Sequence, residues 1–240
     1  MGEILAVKVQ RSQRLRAGLF LSACLMLAAC GNDAAQTEGS RLTRDAFRQI
    51  AQRLMPNGTR PKPVDPARLA ASALQSFDGP LVLAQFETVG LTTVLGEYGR
   101  NGRVRTYATP DERTLAFNDG IVVSSRGLGN DLMSSDIGET ARIVRSRQSG
   151  KSNRKYRFLD GEGIERPLPM SCRILPAGSE TLEAGGQRVN VTRVQETCQT
   201  AGGGLTITNS YWVTGNGAML ASRQWIGPAL GYVTIQVLRP

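Results

Sequence analysis

The sequence predicts a mainly β protein, an antiparallel multi-strand sandwich or open barrel of about ten strands with one or two N-terminal helices. From residue 80 onward, short apolar and β-branched runs are separated by Gly, Asn, Asp and Pro clusters, a spacing typical of β-hairpins. Two of these runs place their apolar residues on one face, as half-buried strands require. The faces consist of Leu205, Ile207, Tyr211 and Val213 in the first run, and of Val233, Ile235 and Val237 in the last.

The N-terminus has the pattern of a bacterial signal peptide. A basic segment at residues 8–16 precedes an unbroken run of apolar or small residues at 17–29. That run is shorter than the roughly 20 residues needed to span a bilayer, which argues against a retained transmembrane helix. It ends in LAAC at residues 27–30, which resembles the lipobox, whose cysteine is acylated and becomes the first residue. We expect lipid attachment at Cys30; an ordinary secreted protein with a chance cysteine there is the alternative.

The remaining chain is expected to form a tether followed by one domain. Residues 1–29 are the predicted signal peptide, and residues 30–40, small and polar, predict a lipidated cysteine on a flexible tether. Residues 41–240 then predict a single β-rich domain that begins with helices. Apolar residues at helical spacing predict a first helix over 42–54. In the second, Asp65 is the expected N-cap and Pro66 the first helical residue, and the helix is expected to end near residue 76.

Composition narrows the chemistry that this chain can perform. The 240 residues include no histidine, which excludes Ser-His-Asp and Cys-His catalysis and every His-ligated zinc or haem site. We predict no metal and no cofactor. Lys and Arg number 29 against 20 for Asp and Glu, a net charge of +9 that suits an acidic polymer or anionic lipid. Export from the cytoplasm makes nucleic acid an unsuitable partner.

Cys172 and Cys198 form an even pair once the signal peptide and the acylated Cys30 are set aside. In an oxidising compartment such a pair predicts a disulfide, which stabilises the fold by about 3.5 kcal/mol in the chain-entropy model. The alternatives are a metal site and a thiol nucleophile, and both lack neighbouring ligands or a base in the sequence.

A glycine-containing stretch at residues 125–136 follows an apolar strand and carries Arg126 and Asp131. One interpretation is a sugar-binding loop in which these two side chains bind hydroxyl groups. The favoured alternative is structural: Arg126 pairs with Asp131 or Asp136 and fixes the bend, because a half-buried arginine seldom stays unpaired.

The C-terminal strands carry both tryptophans. Strand alternation puts Trp212 on the face opposite Tyr211, and puts Trp225 on the same side as Arg223. Together with Tyr232, these residues are candidates for a platform that stacks on sugar rings. A second apolar core is the favoured alternative, because a tryptophan on a strand is usually largely buried.

The segment from residue 142 to 157 is strongly basic and contains no acid. Its cations are Arg142, Arg145, Arg147, Lys151, Arg154, Lys155 and Arg157. Gly150 near the middle predicts a basic hairpin with its tip at residues 149–153. Such a patch can bind an acidic polysaccharide or lipid headgroups, and a charged edge that prevents aggregation explains it equally well.

Catalysis would require two carboxylates acting on a glycosidic bond. The candidates are Asp131, Asp136, Glu139, Asp160 and Glu162. No spacing among them distinguishes an acid from a base, so we predict no catalytic residues and no enzymatic activity.

Three stretches, taken together and in this order, resemble one family. They are the lipobox with its tether, SRGLGNDLMSSD at residues 125–136, and SRQWIGP at residues 222–228 continuing to Gly231 and Tyr232. They resemble the YjbF/GfcB family of outer-membrane lipoproteins, and the similarity spans nearly the whole mature chain, including Cys172 and Cys198. The resemblance implies a mainly β fold and a part in exopolysaccharide or group 4 capsule production or export.

The function that follows is that of a lipid-anchored, non-enzymatic accessory protein at the periplasmic face of the outer membrane. It is expected to bind a glycan or a protein of the export machinery. Gly31 supports the outer membrane, because an aspartate at that position often marks inner-membrane retention. The alternatives are a lipid or lipoprotein carrier built on an open barrel and a carboxylate-based glycan-cleaving enzyme.

Overall fold

A computed structural model describes residues 64–160 and 162–240. The predicted signal peptide, Cys30, the tether and the helix predicted over 42–54 lie outside the described residues. No described helix has the length and apolar character needed to cross a membrane.

The described chain is mainly β, as predicted, with two helices, a short 3-10 turn and twelve strands instead of about ten. The helices are α1 (Pro66–Ser76) and α2 (Thr140–Ser146), and the 3-10 turn is Ala201–Gly203. The strands of the first half are β1 (Leu81–Phe86), β2 (Leu91–Asn101), β3 (Val104–Ala108), β4 (Thr114–Asn118), β5 (Ile121–Arg126) and β6 (Leu132–Asp136). Those of the second half are β7 (Gly150–Leu159), β8 (Glu165–Ala184), β9 (Gln187–Gln199), β10 (Thr206–Thr214), β11 (Met219–Gly227) and β12 (Gly231–Arg239).

All twelve strands form one antiparallel sheet in the order β5-β4-β3-β2-β1-β12-β11-β10-β9-β8-β7-β6. Strand β1 pairs with β12, so the first and the last strand of the chain are neighbours in the middle of the sheet. The two edge strands, β5 and β6, are consecutive in sequence and lie close together, so the sheet curls into a nearly closed barrel.

Side chains close the gap between the two edge strands. The Arg126 guanidinium donates to the carbonyl oxygens of Leu132 and Met133 at 3.2 and 3.1 Å. From inside the barrel, Gln224 accepts from the backbone N–H of Val122 at 2.9 Å, and other side chains reach the same edge. Edge backbone groups are therefore bonded within the molecule, which is one way that proteins prevent edge-to-edge association.

Helix α1 begins as the sequence predicts. The Asp65 side chain accepts a hydrogen bond from the N–H of Ala67 at 3.0 Å, and Pro66 occupies the first turn, where its missing N–H costs nothing. The helix packs against β1, β2 and β12. It thus covers the outer face of the sheet where β1 places Leu81 and Leu83, which are both buried.

The barrel interior is filled by two apolar clusters. The larger lies between the β1–β4 part and the β7–β12 part of the sheet and includes Trp225 and Tyr156. The smaller joins Tyr211 and its strand neighbours to Ile143 and Val144 of α2. The two predicted apolar faces are confirmed, because Ile207, Tyr211 and Val213 and likewise Val233 and Ile235 are buried.

The basic hairpin predicted over 142–157 is wrong. Residues 140–146 form α2, and Arg147 ends that helix in the left-handed conformation with φ 56°. Strand β7 then starts at Gly150. The prediction failed because it used the cations and Gly150 and overlooked the apolar residues at helical spacing, which dock α2 onto the sheet.

Candidate functional site

Strand β7 separates its side chains onto two surfaces with different chemistry. Ser152, Arg154 and Tyr156 point inward and are buried, whereas Lys151, Asn153 and Lys155 alternate with them and are exposed. Alternation with a period of two is the ordinary geometry of a strand. The outward residues therefore contribute to a surface shared with the next strands of the sheet.

That surface is a groove of about 760 Å³ across the outer face of β7, β8 and β9, which we call the outer groove. Its exposed and half-exposed lining side chains are Lys151, Asn153, Ser171, Arg173, Thr197 and Gln199, and Ser152 and Cys172 lie beneath them. Its size is within the range of small-molecule sites in proteins.

Strand pairing arranges the side chains of the outer groove in two parallel rows, and each row continues beyond the groove to a threonine of β10. In the first, Lys151 is paired with Arg173, Arg173 with Thr197, and Thr197 with Thr208 of β10. In the second, Asn153, Ser171, Gln199 and Thr206 follow the same order. With strands about 4.8 Å apart, each row extends about 14 Å across the sheet.

The charge of the outer groove is unbalanced. Lys151 and Arg173 are directly opposite each other, which is an unfavourable arrangement for like charges on a sheet. Among the described residues, neither has an ion pair, and no carboxylate lines the groove. Two cations among hydroxyl and amide groups can bind an anion that also offers hydroxyl groups.

Beneath the outer groove, Arg154 and Glu196 form a buried ion pair. Their side chains are 1% and 0% exposed, and Arg154 Nη1 lies 3.1 Å from Glu196 Oε2. The carboxylate also accepts from Tyr211 Oη at 2.7 Å, Asn209 Nδ2 at 2.8 Å and Thr140 Oγ1 at 3.0 Å. These bonds join α2, β7, β9 and β10 to one another.

The same cluster perturbs titratable groups. Burial opposes the charge of Arg154, but Tyr156, Glu196 and Tyr211 outweigh that effect and raise the pKa of Arg154 further. Burial raises the pKa of Tyr156 to about 12, and it raises that of Tyr211 well above its usual value, with Glu196 adding to the effect. All three groups keep their ordinary charge at neutral pH, as structural groups do.

The predicted disulfide is present. Cys172 and Cys198 are bonded and buried, and they occupy directly paired positions on β8 and β9. Both sulfurs lie within 4.8 Å of the Glu196 carboxylate. The disulfide thus joins the central strands of the outer groove from below.

Arg126 and Asp131 lie at the bend between β5 and β6, and the expected ion pair between them is replaced by backbone bonds. Arg126 donates to carbonyl oxygens of β6, as described above. Asp131 accepts from the N–H of Gly127 at 2.8 Å, the N–H of Leu128 at 3.2 Å and the hydroxyl of Ser125 at 2.8 Å. The bend is fixed, as in the structural interpretation, but by other bonds: Arg126 binds carbonyl oxygens, and Asp131 binds backbone N–H groups and the Ser125 hydroxyl.

The two tryptophans lie on opposite surfaces of the sheet. Trp225 is 6% exposed and packs edge-on against Tyr156 and Phe158 inside the barrel. Trp212 is half-buried on the outside, where its indole N–H donates to Glu180 at 2.7 Å. The structure does not bring the two rings together into a platform.

Arg223 and Tyr232 do lie together. The Arg223 guanidinium is 3.7 Å from the centre of the Tyr232 ring and donates to Glu87 at 2.7 Å through Nε. Tyr232 Oη accepts from the N–H of Thr208 at 3.0 Å. The hydrogen bond from Arg223 lowers the pKa of Glu87 and raises that of Arg223. The positive charge of Arg223 is therefore paired within the protein, by Glu87 and the Tyr232 ring.

The seven predicted basic residues fall into three groups. Arg142, Arg145 and Arg147 belong to α2 and its end, Arg154 is buried, and Lys151, Lys155 and Arg157 lie on β7. Of the last group, Lys151 lines the outer groove, whereas Arg157 lies further along β7 and pairs with Glu165 at 3.4 Å.

Sequence reasoning missed the β8 and β9 residues of the outer groove, namely Ser171, Arg173, Thr197 and Gln199. The available signal was the alternation Met170, Cys172, Ile174 on β8, which is buried and puts Ser171 and Arg173 on the opposite face. Strand order was the missing information, because β7 and β9 flank β8 only in the folded sheet.

Four of the five carboxylates considered for catalysis, those of Asp131, Asp136, Glu139 and Asp160, are engaged in local structure. Asp136 accepts from Gly138 N at 3.1 Å, and Glu139 pairs with Arg142 at 2.6 Å. Asp160 accepts from the N–H groups of Glu162 and Ile164, and these bonds together with Arg166 lower its pKa. A general acid needs a raised pKa, so Asp160 is poorly suited to that role.

Comparison with known proteins gives the same fold and a family. The hypothetical lipoprotein YmcC from Escherichia coli (K12) aligns with a TM-score of 0.62 and 17% identity, over 86% of this chain and 98% of that one. A chain from Parabacteroides distasonis and one from Bacteroides fragilis with a YmcC-like fold give TM-scores of 0.32 and 0.30, at 10% and 11% identity, over 68% of this chain and 95% of each of theirs. No curated protein matches the chain.

The family described as "Group 4 capsule polysaccharide lipoprotein gfcB, YjbF" matches residues 44–238, which is most of the sequence. The resemblance seen in the sequence is therefore confirmed, and a lipoprotein family indicates the cell envelope. The chain belongs to the YjbF family of group 4 capsule polysaccharide lipoproteins.

Proposed function

We propose that this protein is a non-enzymatic accessory in capsule or exopolysaccharide production or export, and that it holds an acidic glycan in the outer groove. The observation that carries the proposal is the direct opposition of Lys151 and Arg173 with no neighbouring carboxylate. Like charges in that position weaken a sheet unless an anion lies between them. The adjacent rows of hydroxyl and amide groups suit the hydroxyl groups of a sugar polymer.

The test compares two variants with the same change in net charge. In the first, Lys151→Gln and Arg173→Gln remove both cations of the outer groove. In the control, Arg68→Gln and Arg188→Gln remove two exposed cations on α1 and β9. Retention on polygalacturonate, an acidic glycan, and on dextran, a neutral one, is measured by affinity electrophoresis at several salt concentrations.

We expect the groove variant to lose at least about tenfold in affinity for polygalacturonate at low salt, with little change for dextran. The control variant should bind like the wild type. Equal losses in both variants would mean that net charge alone attracts the polymer. Unchanged retention in the groove variant would reject the site itself.

The proposal of an accessory and not an enzyme rests on the local bonds that occupy four of the five candidate carboxylates. Incubation with purified capsule polymer should therefore yield no new reducing ends. If such ends appear and Asp131→Asn abolishes them while the protein stays folded, the alternative of a glycan-cleaving enzyme is correct.

We also propose that Cys30 carries the lipid anchor and that the protein faces the periplasm from the outer membrane. Support comes from the LAAC sequence, from Gly31 and from the lipoprotein family. Intact-mass analysis should find a chain that starts at residue 30 and carries acyl groups, and gradient fractionation should place it with outer-membrane markers. A soluble chain that keeps residues 1–29 would contradict both statements.

A further inference from the structure

A second concave site lies inside the barrel, away from the outer groove. It is a cavity of about 240 Å³ at the end where the β2–β3, β4–β5 and β10–β11 hairpins turn and where α2 approaches them. We call it the end cavity. Its lining belongs to β1, β3, β4, β11 and β12, to the three hairpin turns and to α2, and it shares no residue with the outer groove.

The walls of the end cavity are largely apolar. They are formed by Val82, Tyr107, Phe117, Met219, Ile235 and Val237. Val82, Tyr107, Phe117 and Ile235 belong to the larger core cluster, and Val237 packs against it. The cavity is therefore a gap in the core that is open at one end, and an apolar group fits it better than a sugar does.

The opening of the end cavity is basic. Arg103, Arg105 and Arg145 line it, with Asp119 as the one carboxylate among the lining residues. Asp119 is shared by two guanidiniums, Arg145 at 3.0 Å and Arg103 at 3.5 Å. One carboxylate cannot neutralise both cations, so this part of the opening keeps a positive charge.

Arg105 is held differently, by Glu97 beside the cavity. Burial raises the pKa of Glu97, but the hydrogen bonds from Arg105 and Arg100 outweigh that effect and lower it. Arg105 also lies 5.4 Å from the centre of the Tyr107 ring, which is part of the wall. The orientation of Arg105 is thus fixed before any ligand arrives. Arg103, whose side chain is 82% exposed and pairs with Asp119 at 3.5 Å, is the most exposed of the three cations and can move towards a ligand.

We infer that the end cavity binds an amphiphile with a short apolar chain inside and a single acidic head group at Arg103 and Arg145. The volume of about 240 Å³ equals that of about eight waters at about 30 Å³ each. Since a methylene group is about as large as a water molecule, the cavity admits a chain of roughly eight carbons and not a whole membrane lipid. This inference stands independently of the glycan proposal, because the two sites share no residue.

The test uses the mature chain from residue 30 with Cys30→Ser, which cannot carry acyl groups of its own. Calorimetric titration with straight-chain carboxylates from butanoate to dodecanoate should show affinity rising about fourfold per methylene and levelling off near eight carbons. Octylamine and octanol should bind at least about tenfold more weakly than octanoate. Octyl phosphate distinguishes a phosphate head group from a carboxylate.

Two variants locate the binding. Val237→Phe fills the cavity and should abolish the dependence on chain length, with folding verified by circular dichroism. Arg103→Gln should weaken octanoate by about three- to tenfold in low salt, whereas Arg142→Gln, on the exposed side of α2 and paired with Glu139, should have no effect.

Three results would overturn the inference. They are the absence of saturable octanoate binding at millimolar concentration, equal binding of octylamine, and equal effects of the Arg103 and Arg142 variants. A failure here leaves the polygalacturonate result unaffected, since the outer-groove variants do not touch the cavity.

Discussion

Removing the charge of Glu196 should be among the most damaging single changes in the described chain. In Glu196→Gln the guanidinium of Arg154, which is 1% exposed, keeps its charge and loses its carboxylate. Breaking a buried ion pair from one side costs about 3–5 kcal/mol, because the remaining charge has neither water nor partner. The new amide also offers a donor where Tyr211 and Asn209 already donate.

The assay is urea unfolding at neutral pH, supported by thermal melts. A loss of about 3–5 kcal/mol corresponds to a fall in Tm of about 6–20 °C for a domain of this size. Glu139→Gln, which breaks the exposed pair with Arg142, is the matched control and should change stability by less than about 0.5 kcal/mol.

A double-mutant cycle separates the ion pair from general damage to the core. Arg154→Met alone should also be destabilising, because it leaves Glu196 without its cation. The double variant should be more stable than the sum of the two losses predicts, by at least about 1.5 kcal/mol. Strict additivity, or a loss below about 1 kcal/mol for Glu196→Gln, would refute the claim that this pair holds the strands together.

Three further measurements test other parts of the fold. Burial raises the pKa of Tyr156 to about 12, against about 10 in the unfolded chain, so the contribution of this group to stability should be complete below about pH 10 and fall by about 3 kcal/mol as pH rises from about 10 to about 12. Subtracting the ultraviolet titration of Tyr156→Phe from that of the wild type isolates Tyr156 from the other tyrosines, and a step near pH 10 in this difference would contradict the prediction. Gly138→Ala should cost at least about 1 kcal/mol more than Gly102→Ala in urea unfolding. Both glycines have a positive φ, but of these two only a Cβ at residue 138 would meet a carbonyl oxygen, that of Asn153 at 2.8 Å. Equal losses in the two variants would exclude the clash. Reducing the Cys172–Cys198 disulfide should lower stability by about 2–4 kcal/mol, and thiol titration of the unreduced protein should detect neither sulfur.

Local sequence patterns predicted the elements whose stability is decided locally. Asp65 followed by a proline specified the start of α1, and alternating apolar residues specified the inward faces of β10 and β12. The disulfide followed from residue count and compartment, since only two cysteines remained. The residues that specify the helix start and the strand faces lie within a few positions of one another. The two remaining cysteines can form only one disulfide with each other.

Predictions failed where partners are distant in sequence. The Arg126 side chain was expected to pair with a nearby carboxylate, but the backbone of an unpaired edge strand offered carbonyl oxygens that only a guanidinium in that position can reach. The pairing of Lys151 with Arg173 depends on a strand register that no local pattern specifies. The cations of α2 led to the prediction of a surface hairpin, although the apolar residues between them have helical spacing.

The register of β7 connects the stability of the barrel to the proposed binding surface. A shift of one residue against β8 would exchange the two faces of the strand, putting Lys151 inside and Arg154 outside. The buried bond between Arg154 and Glu196 opposes that shift, because it would separate the Arg154 guanidinium from the carboxylate that it pairs with in the core. The native register therefore keeps Lys151 opposite Arg173, although the repulsion between these two cations opposes it. The buried ion pair thus positions the proposed glycan site from beneath the sheet, without lining the outer groove.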